Sequence, residues 1–215
     1  MLGVAVVPQV MPLDQVDSLI SELGEVVGAG ERSVLRVPMV ARLARSARLQ
    51  ELVRPFLPGN PRPVRAIYFD KSTASNWSVG WHQDLTVAVE ERVNVEGFGP
   101  WTIKQGVPHA QAPVRLLEQM ITVRLHLDDC DESNGPLRVL GGSHKFGRIP
   151  PEQIRGLAAE CPEIICRVVA GGALLMRPLL LHASSRSTSY KHRRVLHIEY
   201  AGVDLPAPLR WHEQA

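Results

Sequence analysis

The chain has 215 residues, of which 45% are apolar and 21% are charged, an ordinary composition for a globular protein with a substantial core. A formal net charge of +2 gives no reason to expect binding to nucleic acid or to an anionic membrane surface. No run of about 18 apolar residues occurs, and the first residues lack the features of a secretory signal, which argues against membrane insertion and export. The three cysteines follow no metal-like spacing, so we expect reduced thiols in a cytoplasmic protein.

Two helices are predicted at the amino-terminal end. Pro12 suits a first helical position, and two glycines, Gly28 and Gly30, end the first helix. Its apolar residues recur with a period near 3.6, at Leu13, Val16, Leu19, Ile20, Leu23, Val26 and Val27. A second helix is predicted over about residues 40–53, because Pro55 and Pro58 prevent it from continuing.

Short strands and turns follow from Pro63 onward. The strand-like runs are VRAIYF, ITVRLHLDD, IICRVVA, ALLM, LLLHAS and RVLHIEYA, with turn signals at 133–135 and 141–143. We therefore expect one domain over 1–215, mainly β, with a helical part at 1–58 and a β-barrel core at about 63–203. Helices packed on one face of an antiparallel sheet are the economical arrangement of these elements.

Residues 90–113 form a stretch without clear periodicity, rich in glycine, proline, tryptophan and charge. Loops of that length in a compact domain are usually functional or disordered, and Phe98, Trp101 and Ile103 argue against disorder. We expect this segment to be a substrate-facing loop that becomes ordered when substrate binds.

The segment WHQD, residues 81–84, carries the first chemical signal. If it lies on a strand, His82 and Asp84 point to the same face, and an imidazole with a carboxylate supplies two of the three ligands of a facial-triad iron site. The pair alone is a weak signal, since a histidine and an aspartate near a strand end also occur with purely local hydrogen bonds.

A second signal lies about 100 residues later. His182 ends a very apolar strand, where a histidine needs a partner or a function. Arg193 follows eleven residues later, and a tight connection would place it in the same interior. A buried guanidinium needs an anion, such as the distal carboxylate of 2-oxoglutarate or, alternatively, the internal acid Glu199.

Taken together, these segments resemble the phytanoyl-CoA dioxygenase-like iron(II)/2-oxoglutarate oxygenases. WHQD matches the family's HxD motif, and LDDCDESNGPLRVLGGSH resembles its middle segment. HASSRSTSYKHRR supplies the distal histidine, a small polar residue two positions later, and the arginine at plus eleven. The resemblance covers roughly residues 65–200 and implies a double-stranded β-helix, the jelly-roll or cupin-like fold.

The resemblance also implies the roles of individual residues. His82, Asp84 and His182 would be the catalytic iron ligands, and Arg193 with Ser184 would bind the distal carboxylate of 2-oxoglutarate. The family often adds a polar residue from the strand before HxD, for which Lys71 and Asn76 are the candidates. The implied cofactors are Fe(II), 2-oxoglutarate and O2, and the implied reaction oxidises a C–H bond of a small metabolite with release of succinate and CO2. Halogenases of this type lack the carboxylate ligand, so the presence of Asp84 favours hydroxylation.

Residues bordering HxD are candidates for substrate binding. They are Gln83, Trp77, Trp101, Arg92, Lys104 and His109. Three tryptophans within 25 residues, Trp81 included, indicate an aromatic-walled pocket, although tryptophans in the core would produce the same pattern. Arg92 and Lys104 hint at an anionic group on the substrate.

Two other functions remain open at this stage. A cupin-like metal oxygenase that does not use 2-oxoglutarate would share the jelly roll, but it would leave a buried Arg193 without an anionic partner. A non-catalytic binding module would share the barrel, but it would have no need of all three ligands.

Overall fold

The computed structural model describes residues 1–26, 28 and 30–213. Within them, the α-helices are α1 Leu13–Leu23, α2 Pro38–Ala44, α3 Ala47–Val53, α4 Val114–Leu117 and α5 Ile154–Glu160. The first predicted helix is confirmed as α1, but its predicted end at Gly28 is wrong, because the helix ends at Leu23 with Gly24 as its C-cap and Val26 lies beyond it. Val27 lies outside the described residues. No helix in the described part of the chain is long and apolar enough to cross a membrane.

The second predicted helix is wrong as a single element. Residues 40–53 belong to two short helices, because Ser46 interrupts the run and starts α3 as its N-cap. The Ser46 hydroxyl accepts a hydrogen bond from the backbone N–H of Leu49 at 3.4 Å, which stabilises a new helix start rather than a continuation.

Most of the strands lie between residues 62 and 201. In order they are β1 Val4–Val7, β2 Glu31–Arg32, β3 Arg62–Lys71, β4 Val79–His82, β5 Thr86–Ala88, β6 Trp101–Lys104, β7 Val107–Gln111, β8 Met120–His126, β9 Leu137–Leu140, β10 Glu163–Cys166, β11 Ala173–Met176, β12 His182–Ser184 and β13 Arg193–Ala201. The mainly-β prediction is confirmed, and each predicted strand-like run contributes to one of these strands.

Two antiparallel sheets form the jelly roll. The six-stranded major sheet has the order β1-β11-β8-β13-β3-β2, and the four-stranded minor sheet has the order β10-β9-β12-β4. A third sheet, β5-β7-β6, stands beside them.

Alternation along the major sheet separates the core from the cavity. On β13, Leu196, Ile198 and Tyr200 belong to the hydrophobic core that also contains the residues of α1, α2 and α3. The Tyr200 hydroxyl donates to the carbonyl of Ala44 at 2.9 Å, which ties the sheet to α2. Arg193 and the other alternate residues of β13 therefore face the opposite side, between the sheets.

Several parts of the sequence form strands that were not predicted, β2 and β5 among them. Residues 4–7 pair with β11 at the edge of the major sheet. The 90–113 stretch is not a single loop, because β6 and β7 form a hairpin that pairs with β5. Its turn, Gln105–Gly106, has positive φ at both residues (49° and 79°), the geometry of the two-residue type I′ turn that suits the twist of a hairpin.

Candidate functional site

A cavity of about 460 Å³ lies between the major and minor sheets. The minor sheet contributes His82 and His182, and the loop after β4 contributes Asp84. The inward face of the major sheet contributes Arg193 and His197. The cavity has the size of an ordinary small-molecule site.

The three predicted metal ligands converge in this cavity. One ligand atom from each of His82, Asp84 and His182 lies within 4.8 Å of the other two. His82 and His182 are direct partners on the adjacent strands β4 and β12, so their rings lie side by side with centroids 4.1 Å apart. Asp84 Oδ2 lies 3.7 Å from His182 Nε2.

Asp84 reaches this position by a different route from the one expected. β4 ends at His82, so the strand alternation that predicted a shared face does not extend to Asp84. The backbone N–H of Asp84 donates to the carbonyl of Pro178 at 2.9 Å. The side-chain amide of Gln83 donates to the carbonyls of Gly147 and Leu179 and accepts from the N–H of Ile149. Gln83, predicted to contact substrate, therefore uses its amide to hold the turn between the two ligands.

Hydrogen bonds from the far ring nitrogens orient both histidines. His82 Nδ1 lies 2.9 Å from the carbonyl of Gly80, and His182 Nδ1 lies 2.8 Å from the carbonyl of Leu180. A carbonyl accepts only, so Nδ1 carries the proton and Nε2 presents its lone pair to the cavity. Metal-binding histidines commonly donate their other ring N–H to a backbone carbonyl in this way.

The ionisation states also suit a metal. Burial lowers the pKa of His182 to about 4, so the imidazole is neutral at pH 7. Burial would raise the pKa of Asp84, but the neighbouring histidines, His182 foremost, hold it below its usual range and keep the carboxylate ionised. Asp84 Oδ2 is buried without a hydrogen-bond partner among the described residues. The neutral imidazole of His182, the Nε2 lone pair that His82 presents, and an unpaired buried carboxylate oxygen fit a divalent iron.

Arg193 lies at one end of the cavity. It is 3% exposed, and its guanidinium donates to the carbonyl of Gly135 at 2.6 Å. Ser184 is also buried and lines the same cavity. Glu199, the internal acid considered as a partner for Arg193, instead forms an ion pair with Arg65. Arg193 therefore has a backbone carbonyl but no carboxylate within ion-pair distance in the described chain.

The two further cosubstrate candidates lie behind this end of the cavity. Lys71 is fully buried next to Trp77, and its ammonium donates to the carbonyl of Ser185 at 2.6 Å. Burial, and secondly the charge of Arg193, lower the pKa of Lys71 to about 7. Asn76 exchanges two hydrogen bonds with the backbone of Ser187, so it holds the segment between β12 and β13.

The remaining substrate candidates separate into two groups. Trp77 and Lys104 line the cavity. Arg92 is exposed and stacks over Trp101, and neither residue lines the cavity. His109 also does not line the cavity: it is buried, and its Nδ1 lies 2.9 Å from the carbonyl of Val107.

Three arginines of the cavity were not singled out from the sequence. Arg124, Arg65 and Arg32 all line it. Arg124 donates to His197 Nδ1 at 2.8 Å, and His197 Nε2 lies 3.2 Å from Glu199, which extends the hydrogen-bonded chain to Arg65. The signal for Arg124 was the alternation of polar Thr122, Arg124 and His126 along β8, because all three face inward opposite the apolar residues of the core. Nothing local in the sequence distinguishes Arg32.

Comparison with known proteins identifies a family and a fold. The family model described as phytanoyl-CoA dioxygenase matches residues 27–195, most of the chain. A search of curated proteins by sequence finds no significant match.

Several solved structures share the fold. EctD from S. alaskensis, solved with 2-oxoglutarate and 5-hydroxyectoine, superposes with a TM-score of 0.73 at 20% identity over 94% of this chain and 72% of that one. HygX from Streptomyces hygroscopicus, with nickel and 2-oxoglutarate bound, superposes with a TM-score of 0.65 at 20% identity over 94% of this chain and 83% of that one. AviO1 from Streptomyces viridochromogenes Tue57 superposes with a TM-score of 0.65 at 22% identity over 96% of this chain and 93% of that one. At these identities the likeness establishes the fold.

Proposed function

The chain belongs to the phytanoyl-CoA dioxygenase family, and from that premise we propose that it hydroxylates a small metabolite with His82, Asp84 and His182 as its iron ligands. Members of the family are iron(II)- and 2-oxoglutarate-dependent oxygenases, and this chain is one of them. We further propose that its described residues act as one catalytic domain. The three cysteines are free thiols, which supports a reducing, cytoplasmic location.

The observation that carries the residue assignment is the shared cavity. The triad, with its unpaired Asp84 Oδ2, and the buried Arg193 line the same space from opposite sheets. Fe(II), 2-oxoglutarate and O2, when bound there, supply oxidative decarboxylation to succinate and CO2 coupled to oxidation of a C–H bond.

The protein's own residues bind and orient. His82 and His182 present Nε2 because their Nδ1 atoms are held by backbone carbonyls. Arg193 supplies a planar, permanently charged fork for the distal carboxylate of 2-oxoglutarate, with the Ser184 hydroxyl nearby on the same wall. The presence of Asp84 leaves no ligand position vacant for halide, which favours hydroxylation.

Anaerobic titration tests this assignment. Adding 2-oxoglutarate to the Fe(II)-loaded protein should produce a visible charge-transfer absorption, and Asp84→Ala or His182→Ala should lose it together with tight metal binding. His212→Ala, at a half-buried histidine that does not line the cavity, offers a control. Normal metal affinity in both ligand variants would contradict the proposed site.

A further inference from the structure

The cavity has a second cationic end, on the far side of the triad from Arg193. Along β13, Arg193 and Glu199 are six residues apart, about 20 Å at the usual rise of a strand. β3 runs antiparallel beside β13, so Lys71 pairs with Arg193 at one end and Arg65 pairs with Glu199 at the other. A carboxylate oxygen of Asp84 lies within 4.8 Å of a carboxylate oxygen of Glu199 and of a ring nitrogen of His197. The triad therefore lies between two positively charged ends, nearer to Glu199.

Three elements bring cations to this second end. Arg32 comes from β2, opposite Ile67, and Arg65 comes from β3. Lys104 comes from β6 in the third sheet, where its ammonium donates to the Thr86 hydroxyl at 3.1 Å. The three side chains line the cavity together. We name Arg32, Arg65 and Lys104 the distal cation cluster.

The hairpin β6–β7 is fastened to β2, which holds the cluster together. The side-chain oxygen of Gln105 accepts from the backbone N–H of Arg32 at 3.0 Å, and its amide donates to the carbonyl of Gly30 at 3.3 Å. Lys104 directly precedes Gln105 in the chain, and Arg32 supplies the backbone N–H of one of these two contacts. Their closeness is therefore built into the fold.

Two members of the distal cation cluster have no direct carboxylate partner in the described part of the chain. Glu199 pairs with Arg65, but Arg32 and Lys104 have no carboxylate within 4.0 Å among the residues that the structure describes. Arg65, 6% exposed, keeps Nε and one terminal nitrogen without a hydrogen-bond partner. Glu213, also near Arg65, uses both carboxylate oxygens on the backbone N–H groups of Leu35 and Ala66.

The electrostatic cost is visible in the two partly buried members. Burial, and then the charge of Arg65, lowers the pKa of both Lys104 and Arg32, and the nearby carboxylates of Asp84 and Glu199 offset this lowering only in part. Buried like charges at close range are unfavourable unless an anion joins them. An anion placed between Arg32 and Lys104 would relieve this repulsion.

We propose that the substrate carries an anionic group, a carboxylate or a phosphate, which binds Arg32 and Lys104 at the end of the cavity opposite Arg193. This inference rests on the proposed function, because it takes the Arg193 end as occupied by 2-oxoglutarate. The anion anchors the substrate so that its remaining atoms lie over the triad, against Ile67 and Phe69 of the same cavity wall. A cationic anchor beside a reacting centre works by positioning.

The test uses calorimetry to measure the binding of two probes, inorganic phosphate and acetate, to the Ni(II)-loaded protein saturated with 2-oxoglutarate. Nickel prevents turnover, and the bound 2-oxoglutarate blocks the Arg193 end. Arg32→Gln and Lys104→Gln should each weaken binding of the favoured probe roughly tenfold or more, as loss of a charge-assisted hydrogen bond predicts. Arg32→Lys and Lys104→Arg keep the charge and should restore most of the affinity. Arg155→Gln, at an exposed arginine of α5, is the matched control.

The outcomes separate this inference from the function on which it rests. If only phosphate binding weakens in the Arg32 and Lys104 variants, the substrate carries a phosphate. If only acetate binding weakens, the substrate carries a carboxylate. If neither probe depends on these residues, or if 2-oxoglutarate affinity falls as much as probe affinity, the distal anion site is wrong while the oxygenase assignment stands. If the wild-type protein binds no 2-oxoglutarate in the presence of metal, the proposed function itself fails.

Discussion

Arg193 and Arg194 are adjacent residues in opposite environments. Arg193 faces the cavity, whereas Arg194 faces outward and forms a two-pronged pair with Asp128 at 2.6 and 2.8 Å. Arg193→Ala should raise the apparent KM for 2-oxoglutarate roughly 10- to 100-fold, because a charge-assisted pair contributes about 1.5–3 kcal/mol. Arg194→Ala should affect stability and leave that KM nearly unchanged. Steady-state assays of succinate formation compare the two, and equal effects on KM would contradict the assigned register.

Lys71 gives a pH-dependent prediction at the same scale. Its pKa of about 7 in the folded protein lies below its ordinary value of 10.5, because burial disfavours the charged ammonium. Between pH 7 and 10 the unfolded chain holds a proton that the folded one has released, so Lys71 makes stability rise with pH, by up to about 1.4 kcal/mol per unit.

Urea unfolding of the metal-free protein between pH 6 and 10 measures this effect. The stability of Lys71→Met should exceed that of the wild type at pH 6, and the difference should shrink as the pH rises through that window. Lys145→Met, at an exposed lysine, should shift the curve little. A difference between wild type and Lys71→Met that stays constant with pH would show that Lys71 remains charged in the fold.

At the scale of elements, the β6–β7 hairpin depends on Gln105 for its position. Gln105→Ala removes one hydrogen bond to Arg32 of β2 and one to Gly30 just before it, each worth about 1 kcal/mol, so amide exchange of residues 101–111 should accelerate roughly fivefold or more. Thr102→Ala alters an exposed side chain of the same hairpin and serves as the control. Hydrogen exchange read by mass spectrometry distinguishes them, and similar rates in both variants would mean that the hairpin is held by the third sheet alone.

At the scale of the molecule, the proposed ligands connect the two sheets. The three metal ligands come from the minor sheet and its adjoining loop, whereas Arg193 begins a strand of the major sheet. Each ligand at about 100 times its Kd contributes about 2.7 kcal/mol to stability. Metal together with 2-oxoglutarate should raise the melting temperature by more than the sum of the two separate shifts, because each ligand tightens the binding of the other. In Arg193→Ala the increment from metal should persist, and the increment from 2-oxoglutarate should fall to about half or less. Differential scanning fluorimetry with Ni(II) measures both, and additive shifts in the wild type would argue against a ligand that spans the sheets.

The sequence determined by itself those features that depend on local pattern. Period-two alternation predicted β13 and the inward direction of Arg193, because successive side chains of a strand point to opposite faces. The HxD pair, His182 and the arginine at plus eleven identified the family that the matching model then confirmed. Periodicity near 3.6 located α1, although not the break at Ser46, where a side-chain cap competes with helix continuation.

Only the tertiary structure decided which distant segments meet. Asp84 joins the histidines through a hydrogen bond to Pro178 rather than through strand alternation. Glu199 pairs with Arg65 and leaves Arg193 without an acid, a choice that depends on the register between β3 and β13. Arg32 reaches the cavity because its two-residue strand pairs with β3, and Lys104 reaches it through a hairpin tied to that strand. Such pairings bring together residues tens of positions apart in the chain, and no local periodicity encodes them.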